Sequence, residues 1–532
     1  MPSYTITITE NPDSSSSTHE LHSRVIIPIL IISLLMGALP TFSYRVRAAP
    51  PAFLVQKTWG GSQNDTGHAL ALDSLGNMFV VGTTSSFGPR SPGSSAILVL
   101  KYAVDGTLLW QRTWSNSSED GRGIAVDSAG SVYVTGTAYF TNSSNSHQAG
   151  LLFKLDSAGN LQWQRVWSKG TYTNGNAVAV DSANNVYVAG ITDSFAFCCN
   201  DFTLMKFDSN GNLVWQHTWG GGGSETATGL AIDSSGNIYV SGYTDAFEAA
   251  GGRGFQLALL KFSSSGNLLF ERIYGGSLNE FGTGVALDSA GNVYVTGFGQ
   301  SAGIAGSFDV LVLKFDSTGA LLAQRSWGGS STDAGLGIGV DSSGHILVTG
   351  YTSSYGTKGT CSGPRLLGIS TCYDALILRI NPSLGVDYAL VYGAAGKDDQ
   401  SSGAAFDSAG NAVITGSVGE APPYTVNSGN TTLATINLSV GAYGNNTLGN
   451  PGFTLRNAPN GVIQTSSGSE SYAGAQDVLL LKYGTSQPSN QPSTPFPTIY
   501  FEVLIAALLL LVAVLLWKRR RKTLKNSLPI QP

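Results

Sequence analysis

From Leu54 to Gly484 the chain repeats short apolar runs separated by small polar residues. In the third copy the runs are AlaValAlaValAsp (177–181), ValTyrValAlaGlyIleThr (186–192), PheThrLeuMetLysPheAsp (202–208) and LeuValTrpGlnHisThrTrp (213–219). Their length and their β-branched and aromatic content predict strands. An Asp-Ser-x-Gly-Asn type of turn joins the first run to the second, and another joins the third to the fourth. Glycine supplies positive φ and Asp or Asn fixes the bend, so both joints are tight hairpins. Each copy is thus a four-stranded antiparallel sheet. Runs such as ValLeuValLeuLysPhe (310–315) are almost continuously apolar, which implies sheets covered on both faces by other sheets.

The copies can be counted. The aspartate closing the first strand recurs at Asp73, Asp127, Asp181, Asp233, Asp288, Asp341 and Asp407, and the second-strand glycine at Gly82, Gly136, Gly190, Gly242, Gly297, Gly350 and Gly416. A third-strand base stands at Lys101, Lys154, Lys206, Lys261, Lys314, Arg379 and Lys482. The fourth-strand aromatic is also sevenfold but out of phase: Trp59 precedes the first copy, followed by Trp114, Trp167, Trp219, Tyr274, Trp327 and Tyr392. No fourth strand follows Lys482, so residues 54–59 are predicted to complete the last sheet. The predicted fold is all-β, a seven-bladed propeller over residues 50–485 closed by pairing its two ends.

At this point the sequence resembles the seven-bladed β-propeller repeat family of prokaryotic surface and secreted proteins. The likeness rests on AspSerAlaGlyAsnValTyrValThrGly at 288–297 and on the segment from Lys206 to Gly221, and it extends over all seven copies. It implies a scaffold and no shared catalytic residues.

The flanks predict export. Residues 1–24 are polar and without period, and Val25–Leu39 is an apolar run behind Arg24, followed by ArgValArgAlaAlaPro at 45–50. Residues 1–49 therefore read as a disordered N-terminus with a signal peptide cut near Ala48 or Ala49, or as an uncleaved signal anchor. Residues 486–498 form a Pro/Ser linker, 499–517 an apolar span suited to a transmembrane helix, and 518–532 a basic tail, expected to be cytoplasmic. The expected location is the cell membrane, crossed once or twice, with the propeller on the extracytoplasmic side.

Charge narrows the partners. Only 12% of residues are charged and the formal charge is -5; six of the bases, Lys518, Arg519, Arg520, Arg521, Lys522 and Lys525, lie in the tail. The remainder is more acidic still, the wrong sign for nucleic acid. An extracellular protein or glycan is the expected partner, bound through the face where the connections between second and third strands open. The long connections there are 353–374 and 419–477, and the latter is expected to form extra hairpins.

Candidate chemistry is sparse. An acidic series precedes the turn aspartates at Asp65, Asp120, Glu225, Glu280, Asp333 and Asp399, with Asn174 in the third copy. These are expected in loops at the channel mouth, either capping their own loops or sharing a cation, for which calcium is the natural guest; no other cofactor is expected. The turn aspartates read as caps and the third-strand bases as structural. His68 and His147 read as isolated loop residues, and no Ser/His/Asp set can be assembled. Cys361 and Cys372 share one insertion, where a disulfide is expected in an oxidising compartment, with free thiols the alternative. Glycosylation acceptors occur at Asn64, Asn116, Asn142, Asn430, Asn437 and Asn445. The vicinal Cys198 and Cys199, with the 207–215 segment, resemble quinoprotein dehydrogenases, but the ligand set for a quinone-bound calcium is absent. A binding or adhesion scaffold is the favoured reading; a quinone-dependent or lyase-type propeller enzyme and a structural spacer are the rivals.

Overall fold

A computed structural model gives the architecture. It describes residues 53–484 apart from 88–93, 116–117, 142–145, 169, 194–198, 247–253, 277, 302–306, 356–371 and 394–395; within 420–475 it describes only four short strands. The predicted signal or anchor, linker, apolar span and tail lie outside these residues. Among the described residues no helix is long and apolar enough to cross a membrane.

Seven antiparallel sheets each hold the four predicted strands in order. The innermost strand of blade 1, Asp65–Leu72, packs between those of blade 2, Ser118–Val126, and blade 7, Gln400–Phe406, so the ring is closed. The closing pair is the predicted one. Phe53–Trp59 runs antiparallel to Asp477–Tyr483, from Phe53 opposite Tyr483 to Trp59 opposite Val478. Several fourth-strand aromatics tie their blade to the next: the Trp59 indole donates to Gln111 at 2.6 Å, Trp114 to Gln164 at 2.8 Å, and Trp219 to Glu271 at 2.9 Å, whereas the buried Trp167 Nε1–H has no protein partner among the described residues.

The turns hold as their sequence predicts. Asp73 Oδ1 accepts from the amides of Leu75 and Asn77 at 3.0 and 2.9 Å, with Gly76 at φ +79°. The third-strand bases are structural as well. Lys101 lies over the Phe79 ring at 4.9 Å and donates to the Ser157 carbonyl of the next blade, and Lys482 pairs with Asp407 at 3.0 Å. The second-strand glycine has a steric reason: a Cβ on Gly82 would lie 1.8 Å from the Thr66 carbonyl oxygen, and one on Gly297 1.8 Å from that of Phe281.

The 419–477 connection departs from expectation. In place of hairpins of its own, its described pieces add single fifth strands to outer edges: 427–428 on blade 6, 439–441 on blade 4, 454–456 on blade 2 and 462–464 on blade 1. Outer edges are rows of unpaired amides and carbonyls, and pairing is what such edges attract.

Candidate binding surface at the open face

Innermost strands begin, second strands end and third strands begin on one face, the open face; the Asp-Ser-x-Gly-Asn turns occupy the other. The acidic series is therefore on the open face, as expected, but in strands and largely buried. Asp65, Glu225, Glu280 and Asp333 are the first residues of their innermost strands and fully buried, and Asp399 immediately precedes its own. Each is held locally. Asp65 accepts from the Thr84 and Ser86 hydroxyls at 2.5 and 2.7 Å and from the Gly61 amide at 2.8 Å. Asp333 accepts from the hydroxyls of Thr352 and Ser354 and the Gly329 amide, Glu280 from the amides of Gly276 and Ser301, Glu225 from Thr244, and Asp399 from the Gly419 amide.

In blades 2 and 3 the register is one residue off. The structural counterparts of Asp65 are Glu119 and Thr173, whereas Asp120 and Asn174 point to the opposite side of the strand. Asn174 is fully buried, and neither polar atom of its amide has a protein hydrogen-bond partner. Among the described residues no group of three or more His, Cys, Asp or Glu is placed to hold a metal.

A second carboxylate series was missing from the sequence reading. Asp201, Asp309, Asp374 and Asp477 open the third strands, and each meets an acid of the next blade above a glycine. A Cβ on Gly60 would lie 2.0 Å from Asp477 Oδ1 and 3.1 Å from Asp65 Oδ2; on Gly220, 2.3 Å from Asp201 and 2.5 Å from Glu225. Gly328 and Gly393 see the pairs Asp309/Asp333 and Asp374/Asp399 in the same way, and at Gly275 the partner of Glu280 is Gln256. Burial, with the Asp65 charge adding to it, pushes Asp477 up to about 7. Burial likewise takes Glu225 to about 7, against the Thr244 and Gly221 hydrogen bonds and with Asp201 adding, and raises Asp333. The signal was a recurrent Asp at the head of the third strand.

Every innermost strand carries a β-bulge, and the bulged residues are His68, Arg122, Asn176, Thr228, Thr283, Leu336 and Ser402. A bulge re-aims its side chain. Here the side chains reach across blade boundaries: His68 Nδ1 bonds the Gly121 carbonyl at 2.8 Å, Asn176 donates to Ala227, Thr228 to Gly282 and Thr283 to Gly335. His68 is thus a strand residue, and so is His147, in Ser146–Leu155.

Around Asp120 these bulges form an ionic cluster. Asp120 Oδ1 lies 3.3 Å from His68 Nδ1 and accepts from Thr83 at 2.5 Å, while its Oδ2 takes the Arg122 Nε–H at 2.9 Å; Arg122 also donates to Asn176 at 2.9 Å. His68 Nε2 is 2.9 Å from the Thr66 hydroxyl. Hence a hydroxyl, imidazole and carboxylate line up as Thr66, His68 and Asp120, a set that holds a threonine and no serine. Burial pulls the His68 imidazole down, but its hydrogen bond and charge contact with Asp120 outweigh that and raise it. Asp120 is pushed up by burial yet ends well below the usual carboxylate range, because His68, Arg122 and Thr83 all favour its charged form. Tyr139 is raised, first by burial.

Blades 4 to 6 present aromatic rings instead. Phe281 packs within 6.1 Å of Tyr243, Phe255, Phe298 and Phe308, and Tyr351 lies 4.7 Å from Tyr373. All but Phe308 retain partial exposure. Of the remaining predicted positions, Asn64 is exposed on the open face, and Cys199 and Cys372 are each disulfide-bonded. Cys198, Cys361, Asn116, Asn142, Asn430, Asn437 and Asn445 lie outside the described residues.

Residues 219–248 match the SBBP beta-propeller repeat. That stretch belongs to a propeller repeat. It runs from the end of blade 3 through the first hairpin of blade 4, and the sevenfold pattern extends it round the ring. No curated protein matches the chain. Similar solved structures include a gluconolactonase of Xanthomonas campestris (14% identity, 57% of this chain and 94% of that one, TM-score 0.32). An ulvan lyase of a new polysaccharide lyase family is 10% identical over 68% of this chain and 92% of its own, TM-score 0.38. A puromycin hydrolase mutant is 14% identical over 73% of this chain and 55% of its own, TM-score 0.39.

Proposed function

We propose that this chain is a membrane-anchored, extracytoplasmic propeller that acts as a binding or adhesion scaffold, and that its open face receives a glycan. One observation carries the reading: that face is divided between an ionic cluster on blades 1 to 3, built on His68, Asp120 and Arg122, and an aromatic group on blades 4 to 6, built on Phe281. Aromatic rings take the C–H faces of sugars, while a few placed polar groups orient the hydroxyls. Export and anchoring are supported by the apolar runs at 25–39 and 499–517, the basic residues after Trp517, and the oxidised state of Cys199 and Cys372.

A glycan array probed with residues 50–485 tests the binding; Phe281→Ala and Arg122→Ala should each weaken a hit about tenfold or more. Binding that survives both and disappears on removing 419–477 would move the contact to that connection. Protease on intact cells should release a propeller fragment cut within 486–497; a protected propeller would reverse the topology. The Thr66–His68–Asp120 line supports a second reading as a lyase, with His68 as general base and Asp120 setting its tautomer. Unsaturated products from acidic polysaccharides, lost in His68→Gln, would favour it.

A further inference from the structure

The turn face carries a second set of bulges. In blade 1 the ladder of third and fourth strands passes from Tyr102 opposite Leu108 to Lys101 opposite Trp110, leaving Leu109 out. The same skip leaves out Gln162, Val214, Leu269, Leu322, Asp387 and, in the closing strand, Leu54. A bulged side chain is turned away from its sheet. Five of the seven are aliphatic, and all five are about half exposed: Leu54 55%, Leu109 49%, Val214 55%, Leu269 52% and Leu322 54%. Leu75, at 79%, projects from a turn on the same face. The fold therefore repeats a device that offers an aliphatic side chain to the outside at this rim.

Two further features say what covers it. The chain enters and leaves the ring here: Phe53 pairs with Tyr483, and Leu54 lies beside Gly484. From Gly484 the segment 485–498 leads to the apolar stretch 499–517; a chain of that length reaches at most about 50 Å, so a span there would tether this face within reach of lipid. The face is also close to electrical balance. The turn carboxylates Asp127, Asp341 and Asp407 pair with Lys154, Arg379 and Lys482, and Asp105, Asp156, Asp208 and Asp316 face Lys57, Arg112, Arg165 and Arg272. A neutral surface studded with aliphatic side chains suits the interface of a zwitterionic bilayer.

We infer that the turn face is a membrane-contact surface, resting its aliphatic rim on lipid and directing the open face outward. The inference rests on the anchoring proposed above. The test uses the full chain in phosphatidylcholine nanodiscs, with Leu109→Cys, Leu269→Cys or, on the open face, the exposed Ser62→Cys carrying an environment-sensitive fluorophore. Nitroxide-bearing lipid should reduce emission at 109 and 269 by about twofold or more and leave position 62 unchanged. Incorporation into discs with no quenching at the rim, or with equal quenching at all three positions, overturns the inference and leaves anchoring intact. A chain that does not enter the discs overturns both. Energy transfer between labelled rims of separate chains, without lipid quenching, would give the rim to a second copy and also overturn it.

Discussion

Replacing Asp477 with Asn should make the propeller more stable at alkaline pH. Asp477 is fully buried beside Asp65, neither of its oxygens has a protein hydrogen-bond partner, and it is pushed up to about 7 from 3.8 by burial and the Asp65 charge. The folded protein thus holds this proton more tightly than the unfolded chain does. The resulting stabilisation is complete below about pH 4 and is lost as pH rises to about 7. A difference of that size is worth roughly 2–4 kcal/mol, the lower figure allowing for solvent screening near the mouth. Asn is neutral throughout and resembles the protonated acid, as Gln256 already does opposite Glu280. Urea unfolding of residues 50–485 should give parent and variant within about 1 kcal/mol at pH 4.5, with the variant ahead by roughly 2–4 kcal/mol at pH 8. A variant no more stable than the parent at pH 8 would refute the reasoning. If calcium at pH 8 stabilises the parent and not the variant, a cation rather than a proton joins the pair, as the calcium expectation for the acidic series would have it.

Gly297→Ala should cost about 3 kcal/mol or more by chemical denaturation, because the added carbon meets the Phe281 carbonyl oxygen inside a closed ladder; a loss under about 1 kcal/mol would show that the strand can yield. Deleting residues 50–60 should leave Asp477–Tyr483 as an open apolar edge and produce aggregation or a large drop in Tm. A truncated chain that melts like the parent would contradict the closure.

Blade number and closure were legible because each depends on residues that mark every copy, and the phase slip of Trp59 against Gly82 and Lys101 has no other simple origin. Turn capping by Asp73 and its counterparts was legible because the cap lies within five residues. The open face was less so. Between Glu119 and Asp120, or Thr173 and Asn174, one residue of slip moves the side chain to the opposite side of the innermost strand and to a different set of partners. Nothing in the sequence marks the bulge at His68 that turns the imidazole toward Asp120, about fifty residues away. The third-strand acids went unread because their significance lies in the carboxylate of the next blade, a contact made only once the ring is closed.

Closure by the two chain ends also sets a timetable for biosynthesis. Phe53–Trp59 is among the first propeller segments to be made, and its partner Asp477–Tyr483 is the last. At ordinary translation rates roughly 20–90 s separate the two. For that interval the strand bearing Trp59 waits without its ladder while six blades form beside it, so the ring can shut only when its last strand arrives. A ribosome stalled before residue 477 would hold an open propeller, and the cell's quality-control machinery would meet this chain in that unfinished form.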